Sequence, residues 1–249
     1  MHGSGLYSTN ARVTCMVCGS AGFVPLGQWG GHDIFRCTRC SFGFVHPMPP
    51  LSEIAAIYDR YPATELYSGK AARKIVRAHK RLKRYRHLAP GKRFIDFGCN
   101  IGTTVEAARR LGFDAHGTDI DAEAISIAGT LFPGSLYHAG PMETLPVEWG
   151  LFDFAFSTEV IEHVPDPESY FAALAARLRP GGVLYLTTPD AGHWRVPADF
   201  TAWEHVFPPQ HLLYFTRTSM THFLGRHGFD VIKFVPNLKT GLKLLARKR

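Results

Sequence analysis

An α/β fold with a largely parallel sheet is what this 249-residue sequence predicts. Three observations carry that expectation. From Lys92 onward, short apolar runs alternate with helical patterns, the order that lays strands side by side with crossover helices on both faces. The first of those strands lies in Phe94–Thr104 (FIDFGCNIGTT). It ends on Asp96 and turns through Gly98, Asn100 and Gly102 into a helical pattern, so a ligand could approach bare backbone and helix-start N–H groups. The next strand delivers Asp119, 17 residues after Gly102, the separation at which a nucleotide-binding unit sets a carboxylate against ribose hydroxyls.

Taken in order, residues 1–12 read as a loose leader with no apolar h-region, which argues against a secretory signal. Residues 13–46 hold two CxxC pairs, Cys15/Cys18 and Cys37/Cys40, separated by 18 residues and flanked by β-like runs at Phe23–Leu26, Ile34–Arg36 and Phe42–Val45. Paired knuckles at that gap suit one tetrahedral zinc, and a chain without a signal peptide is a poor setting for disulfides. The fifth cysteine, Cys99, sits in the glycine turn, where a small packed side chain is expected. HPMPP (His46–Pro50) is a rigid exit, followed by a short helix behind Ser52.

An aromatic linker (Tyr58, Tyr61, Tyr67) leads to a long helix over Lys70–Leu88. Its Ile75, Ala78, Leu82, Tyr85 and Ala89 share one side, with Lys74, Arg77, Arg81 and Arg84 on the other. The net charge of +7 is local to this region. Residues 70–93 carry eleven Lys or Arg and no acid, and the remainder has 17 basic against 21 acidic residues, a balance of −4. The helix presents either a solvated face or a surface for a phosphate-bearing partner such as a nucleotide-linked sugar, an anionic glycan or lipid headgroup, or RNA.

Strands are expected at Arg93–Phe97, Asp114–Asp119, Ser135–His138, Phe152–Ser157 and Val183–Thr188. Helices are expected at Thr103–Leu111, Ala122–Leu131, Pro167–Leu178 and Ser219–His227, and two strands at Phe229–Val235 and Gly241–Arg247 close the chain. The apolar share of 45% is that of a globular protein with a sizeable core, and no run of 18 apolar residues exists to span a membrane. The cytoplasm is the expected location.

The turn fails the dinucleotide fingerprint: counted from Gly98, the positions of GxGxxG hold Gly98, Asn100 and Thr103. It fits Asp-x-Gly-x-Gly-x-Gly with Asn100 in the middle place, and Asn tolerates the left-handed conformation that glycine would adopt. Downstream come HGTDID (His116–Asp121), Gly140–Leu145, FDFAFSTEVIEHVPDP from Phe152, LRPGGVL from Leu178, and Thr188-Pro189. In this order the chain resembles the class I S-adenosylmethionine-dependent methyltransferases over about residues 91–235. The cysteine module with its FVHPMP run resembles the zinc-ribbon front end of bacterial methyltransferases of sugars, polysaccharides and secondary metabolites.

The resemblance implies a Rossmann-like seven-stranded methyltransferase sheet with helices on both faces, preceded by a small zinc ribbon. The division would be a ribbon at 1–50, a helical linker at 51–90 and a cofactor-binding domain at 91–249. It implies cofactor contacts at Asp96, Gly98, Asn100, Gly102, Asp119, Ile120, Met142, Glu143 and Thr158, although Met142 and Glu143 also read as ordinary loop. His163, after the fourth strand, either takes the acceptor's proton or shapes the loop, and His205 and His211 are further base candidates. Glu159, Glu162 and His163 would share one helical face; some related quinone O-methyltransferases use such a group for a divalent cation, so it suits either Mg²⁺ or Mn²⁺ with water and substrate completing the shell, or a solvated helix start. The aromatic segment His193–His211 reads as a substrate lid.

The expected activity is methyl transfer to a sugar, glycan or other small hydroxylated acceptor, oxygen before carbon. The alternatives are a quinone-type precursor, RNA, or a cofactor-binding module without catalysis. Against RNA, the fourth-strand motif lacks a Pro-Pro-Tyr type clamp, and the aromatics do not interleave with the basic run.

Overall fold

The structure, a computed structural model, describes residues 13–58 and 69–249. The leader and Tyr61 and Tyr67 of the linker lie outside the described residues. The cysteine module folds as β1 (Phe23–Trp29), β2 (His32–Cys37) and β3 (Gly43–Val45), with helix α1 (Leu51–Tyr58) after the proline exit. The basic helix α2 runs from Ala71 to Tyr85 and tightens into a 3-10 turn at Arg86–Leu88. It buries Ile75, Ala78, Leu82 and Tyr85 in a core shared with helix α3 (Thr103–Arg110).

The main sheet comprises β4 (Arg93–Phe97), β5 (Asp114–Asp119), β6 (Leu136–Ala139), β7 (Phe152–Thr158) and β8 (Leu178–Pro189). Beyond the two-residue β9 (Leu213–Tyr214) come its last strands, β10 (Phe229–Phe234) and β11 (Gly241–Lys248). Their spatial order is β10-β11-β8-β7-β4-β5-β6. The five strands from β4 to β8 run parallel, whereas β11 lies antiparallel between β8 and β10. Helices α4 (Ala122–Leu131), α5 (Pro167–Arg177) and α6 (Arg217–Arg226) complete the layers. The central strands read FIDF and FDFAF because both faces are covered, so apolar residues occupy successive positions.

Strand β9 was not expected from the sequence. Two residues are too short to show a period, yet β9 pairs antiparallel with β3 and completes a four-stranded sheet β1-β2-β3-β9. Phe42 and Phe44 of the cysteine module share a core with Phe215, Met220 and Phe223. Arg226 at the end of α6 donates to the Met16 and Val17 carbonyls inside the first CxxC and also pairs with Glu168 of α5. The cysteine module is thus tied to the rest of the chain by a strand, a core and an arginine.

The aromatic segment also departs from expectation. Phe200, Trp203 and Val206 pack with Tyr214 against Ile34 and Val45 of the cysteine module. Their apolar surface is spent on that contact rather than on covering the main cleft. Among the described residues no helix is long and apolar enough to cross a membrane.

Candidate functional site

A cleft of about 1060 Å³ opens at the carboxyl ends of β4, β5, β7 and β8, roofed by α1 and α2. In a parallel sheet this is where the order of strands reverses and a crevice forms.

Its first wall is built by the glycine turn. Gly98 and Gly102 both have φ +75°, and Asn100 has φ 47°, the left-handed conformation expected of it. Asn100 holds that shape with its own side chain, whose Oδ1 accepts from Ile101 N at 2.8 Å. Gly102 caps α3 beneath the cleft, where a Cβ would sit 2.7 Å from the Tyr137 hydroxyl. Cys99 is packed against Gly117, as a small buried residue should be.

Asp119 ends β5 and ties the two turns together: Oδ2 accepts from Asn100 N at 2.8 Å and Oδ1 from Asp121 N at 3.1 Å. Burial raises its carboxyl above the usual range. Asp96 is more deeply placed, at 2% exposure, and its Oδ1 has no hydrogen-bond partner. Burial first, and then the neighbouring Asp119 charge, push its carboxyl well above the ordinary carboxylate value. A buried acceptor left open on a cleft wall is a ready partner for a positive group. Ile120, 63% exposed, and Met142 lie along the same wall with Glu143.

The second wall follows β7. Glu159 has φ 56° and accepts from Thr187 Oγ1 at 2.6 Å. Glu162 is wholly buried and accepts from Thr188 Oγ1 at 2.9 Å through Oε2, while its Oε1 has no partner. The shared helical face expected for Glu159, Glu162 and His163 does not form. Residues Ile161–His163 make only a 3-10 turn, and the left-handed Glu159 sends its carboxylate to Thr187.

Glu159 nevertheless stays beside Glu162: burial, and then the Glu159 charge, push the Glu162 carboxyl well above its ordinary value. His211 also joins Glu162 and His163, with one ligand atom from each of the three within 4.8 Å of the others. His163 Nδ1 lies 2.8 Å from the Gln210 carbonyl, and His211 Nδ1 lies 2.8 Å from the His205 carbonyl. A carbonyl only accepts, so each Nδ1 carries the hydrogen and each neutral ring keeps its lone pair on Nε2. Burial lowers the pKa of His163 and takes that of His211 down to about 3, with His163 adding to the latter effect. His163 faces the cleft, whereas His211 stands behind it with ring centres 4.7 Å apart. His205 contributes its carbonyl, and its ring stacks on the far side of His211 at 6.1 Å.

Several cleft residues carry no signature in the sequence. Arg77 and Arg81 of α2 and Lys243 of β11 form a cationic wall, and Leu51, Ile54 and Ala55 of α1 form an apolar one. The helical spacing of the arginines put them on one face, but nothing local said what that face would meet.

The four cysteines of the ribbon also converge. Their Sγ atoms lie within 4.8 Å of one another, with Cys15–Cys40 at 3.6 Å and Cys18–Cys37 at 3.5 Å, and none is in a disulfide. Zinc–sulfur bonds of about 2.3 Å in a tetrahedron need edges of about 3.8 Å, so four thiols this close together could hold one zinc.

A methyltransferase domain model matches residues 67–233. This chain belongs to that methyltransferase family. Among curated proteins it is similar to the ubiquinone biosynthesis O-methyltransferase of Xanthomonas campestris, 37% identical over 116 residues that span 45% of this chain and 47% of that protein. The corresponding enzyme of Bordetella avium is 38% identical over 103 residues, 39% of this chain and 43% of the relative. The chain thus spans about half the length of the curated relatives it matches.

Solved structures share the fold. The magnesium protoporphyrin IX methyltransferase of Synechocystis with bound SAH has TM-score 0.55 at 16% identity, covering 71% of this chain and 83% of that one. A TehB-like S-adenosylmethionine-dependent methyltransferase of Corynebacterium glutamicum has TM-score 0.54 at 16% identity, covering 80% and 100%.

Proposed function

We propose that this chain transfers a methyl group from S-adenosylmethionine to a hydroxyl of a small acceptor. The observation that carries the reading is the two-sided cleft. One wall holds a glycine turn and two acids suited to a cationic nucleoside, and the facing wall holds an imidazole with a free lone pair. S-adenosylmethionine supplies a methyl on a sulfonium: as the acceptor oxygen forms the new C–O bond the C–S bond breaks, and a neutral thioether departs.

Asp119 would accept the ribose hydroxyls, Ile120 and Met142 would flank the adenine, and Glu143 and Thr158 would border it. Asp96, with its open Oδ1, would face the ammonium and sulfonium end, and Gly98, Asn100 and Gly102 would keep the backbone close. His163 Nε2 would receive the acceptor's proton, with the Gln210 carbonyl holding the imidazole in its tautomer and His211 packed behind it; His211 and His205 are the further base candidates. Alignment of donor and acceptor supplies most of the acceleration in such a displacement, and a positioned base adds about 10²–10⁴-fold.

For the acceptor we favour a sugar or glycan hydroxyl, with a phosphate or other anionic group held by Arg77, Arg81 and Lys243. The curated relatives' names support a second reading, a quinone precursor with a phenolic oxygen. The cysteines would hold structural zinc. Labelled S-adenosylmethionine offered with nucleotide sugars, dihydroxybenzenes and total RNA decides the class. Label in the sugar fraction supports the first reading and label in the phenols the second. Transfer to RNA alone, or to none of the three, overturns both.

A further inference from the structure

We propose that the cationic face of α2, continued by the β10–β11 hairpin, is a docking track for an acidic polysaccharide that presents one of its sugar hydroxyls to the cleft. That role rests on the proposed methyl transfer and widens its acceptor from a single sugar to a chain of repeated negative charge. At about 3.6 residues per turn, Arg73, Arg77, Lys80, Arg81 and Arg84 fall within an arc of about 100° and span about 16 Å of helix. Arg77 and Arg81 line the cleft, while the exposed Arg73, Lys80 and Arg84 carry the stripe out of it.

This face forms against the helix's own preferences. The first turn of α2 holds no acid to offset the positive end of the helix dipole. Arg73 and Arg77, Arg77 and Arg81, and Lys80 and Arg84 are like charges four residues apart, which repel. Among the described residues, no acid forms an ion pair with any of these five cations. A local rule broken this way points to a functional surface, because a ligand of opposite charge relieves the crowding.

Two buried rings join the helix to the hairpin. The Arg84 guanidinium lies 5.6 Å from the Tyr85 ring centre, and Lys233 Nζ of β10 lies 4.8 Å from the same ring. Arg81 lies 5.4 Å from the Tyr185 ring, which stacks on Tyr85 at 5.9 Å. Lys243 of β11 lines the cleft, and burial, followed by the Arg81 charge, lowers its pKa. The cations of both elements therefore border one stretch of surface that begins inside the cleft.

The chemistry of that stretch selects the partner. Five cations on one helix face exceed what a single diphosphate neutralises, so the stripe suits a ligand whose charge repeats. Single-stranded nucleic acid is held by aromatic side chains on which bases stack, and no ring on α2, β10 or β11 is exposed. A bilayer surface requires an apolar helix face, and α2 commits Ile75, Ala78, Leu82 and Tyr85 to the core. A polysaccharide bearing carboxylates needs neither, and clustered Arg and Lys side chains suit it.

Fluorescence anisotropy of the whole protein with labelled oligogalacturonates of increasing length tests the track without relying on turnover. Affinity should rise with chain length and fall as salt is added. The double variant Lys80→Glu, Arg84→Glu alters only exposed positions outside the cleft. It should weaken binding by at least about tenfold and lower the slope of log affinity against log salt by about two, with far-UV circular dichroism unchanged. Overturning outcomes are affinity that does not grow with length, a double variant that binds as the wild type does, or tighter binding to polyuridylate or to phosphatidylglycerol vesicles than to the longest oligogalacturonate. Calorimetry with S-adenosylhomocysteine on the same samples separates the two ideas. Length-dependent glycan binding without nucleoside affinity would sink the proposed function and leave the track standing.

Discussion

The β4–β5 wall of the cleft and the β7 wall face each other, but they come from the chain differently. The first is nearly continuous text: Asp96 to Thr104, then Asp119 to Asp121, each strand end running into its own turn. The second joins a 3-10 turn at Ile161–His163 to Gln210 and His211, with the decisive hydrogen bond spanning 47 residues. Local geometry dictates the first wall; the second exists only once β9 has found β3.

Breaking each wall separately should split binding from chemistry. The largest effect is expected for His163→Ala. Transfer should fall by about 10²–10⁴-fold, with S-adenosylhomocysteine affinity by calorimetry unchanged; a parallel loss of affinity would mean that the walls are not separable. Next, Asp119→Ala removes an acceptor of two backbone N–H groups and of the expected ribose hydroxyls. Nucleoside affinity should fall by about 100-fold, or about 3 kcal/mol.

A smaller effect belongs to Asp96, whose carboxyl is held well above its ordinary value by burial and by Asp119. A cation binds its ionised form better, so S-adenosylmethionine should bind more tightly as pH rises through that raised value, by up to about tenfold per pH unit. Neutral-sulfur S-adenosylhomocysteine should respond less, and Asp96→Asn should abolish the difference. The smallest change is Asn100→Gly, which trades the bond to Ile101 N for a residue at ease with φ 47°. Its thermal midpoint should move by less than about 1 kcal/mol in equivalent stability.

The same contrast explains what the sequence disclosed. The ends of β4 and β5 coincide with expectation to the residue because an apolar run, a terminal acid and a glycine turn mark them. The helical face expected for Glu159, Glu162 and His163 does not form because Glu159 turns left-handed and the backbone makes a single 3-10 turn, although Glu159 still adjoins Glu162. The aromatic segment His193–His211 has the composition of a lid. Trp203 and Phe200 are apolar enough either to cover a ligand or to join a core, and only the ribbon's Ile34 and Val45 decided between the two. His211 joined Glu162 through tertiary pairing, which leaves no trace in local periodicity.

The ribbon itself invites a metal-removal test: Cys37→Ser should lower zinc content by mass spectrometry, and unchanged content would remove zinc from the ribbon.

Strand β9 is a guest in the ribbon's sheet, and that has a consequence for any shortened form of this protein. Without β3, the backbone of Leu213 and Tyr214 becomes an open sheet edge flanked by Leu212 and Phe215, four residues that are now buried. An apolar edge of that kind recruits strands from other molecules. A fragment starting at Leu51 should therefore self-associate before it loses its nucleoside wall, so its solubility would report on the ribbon more directly than its activity does.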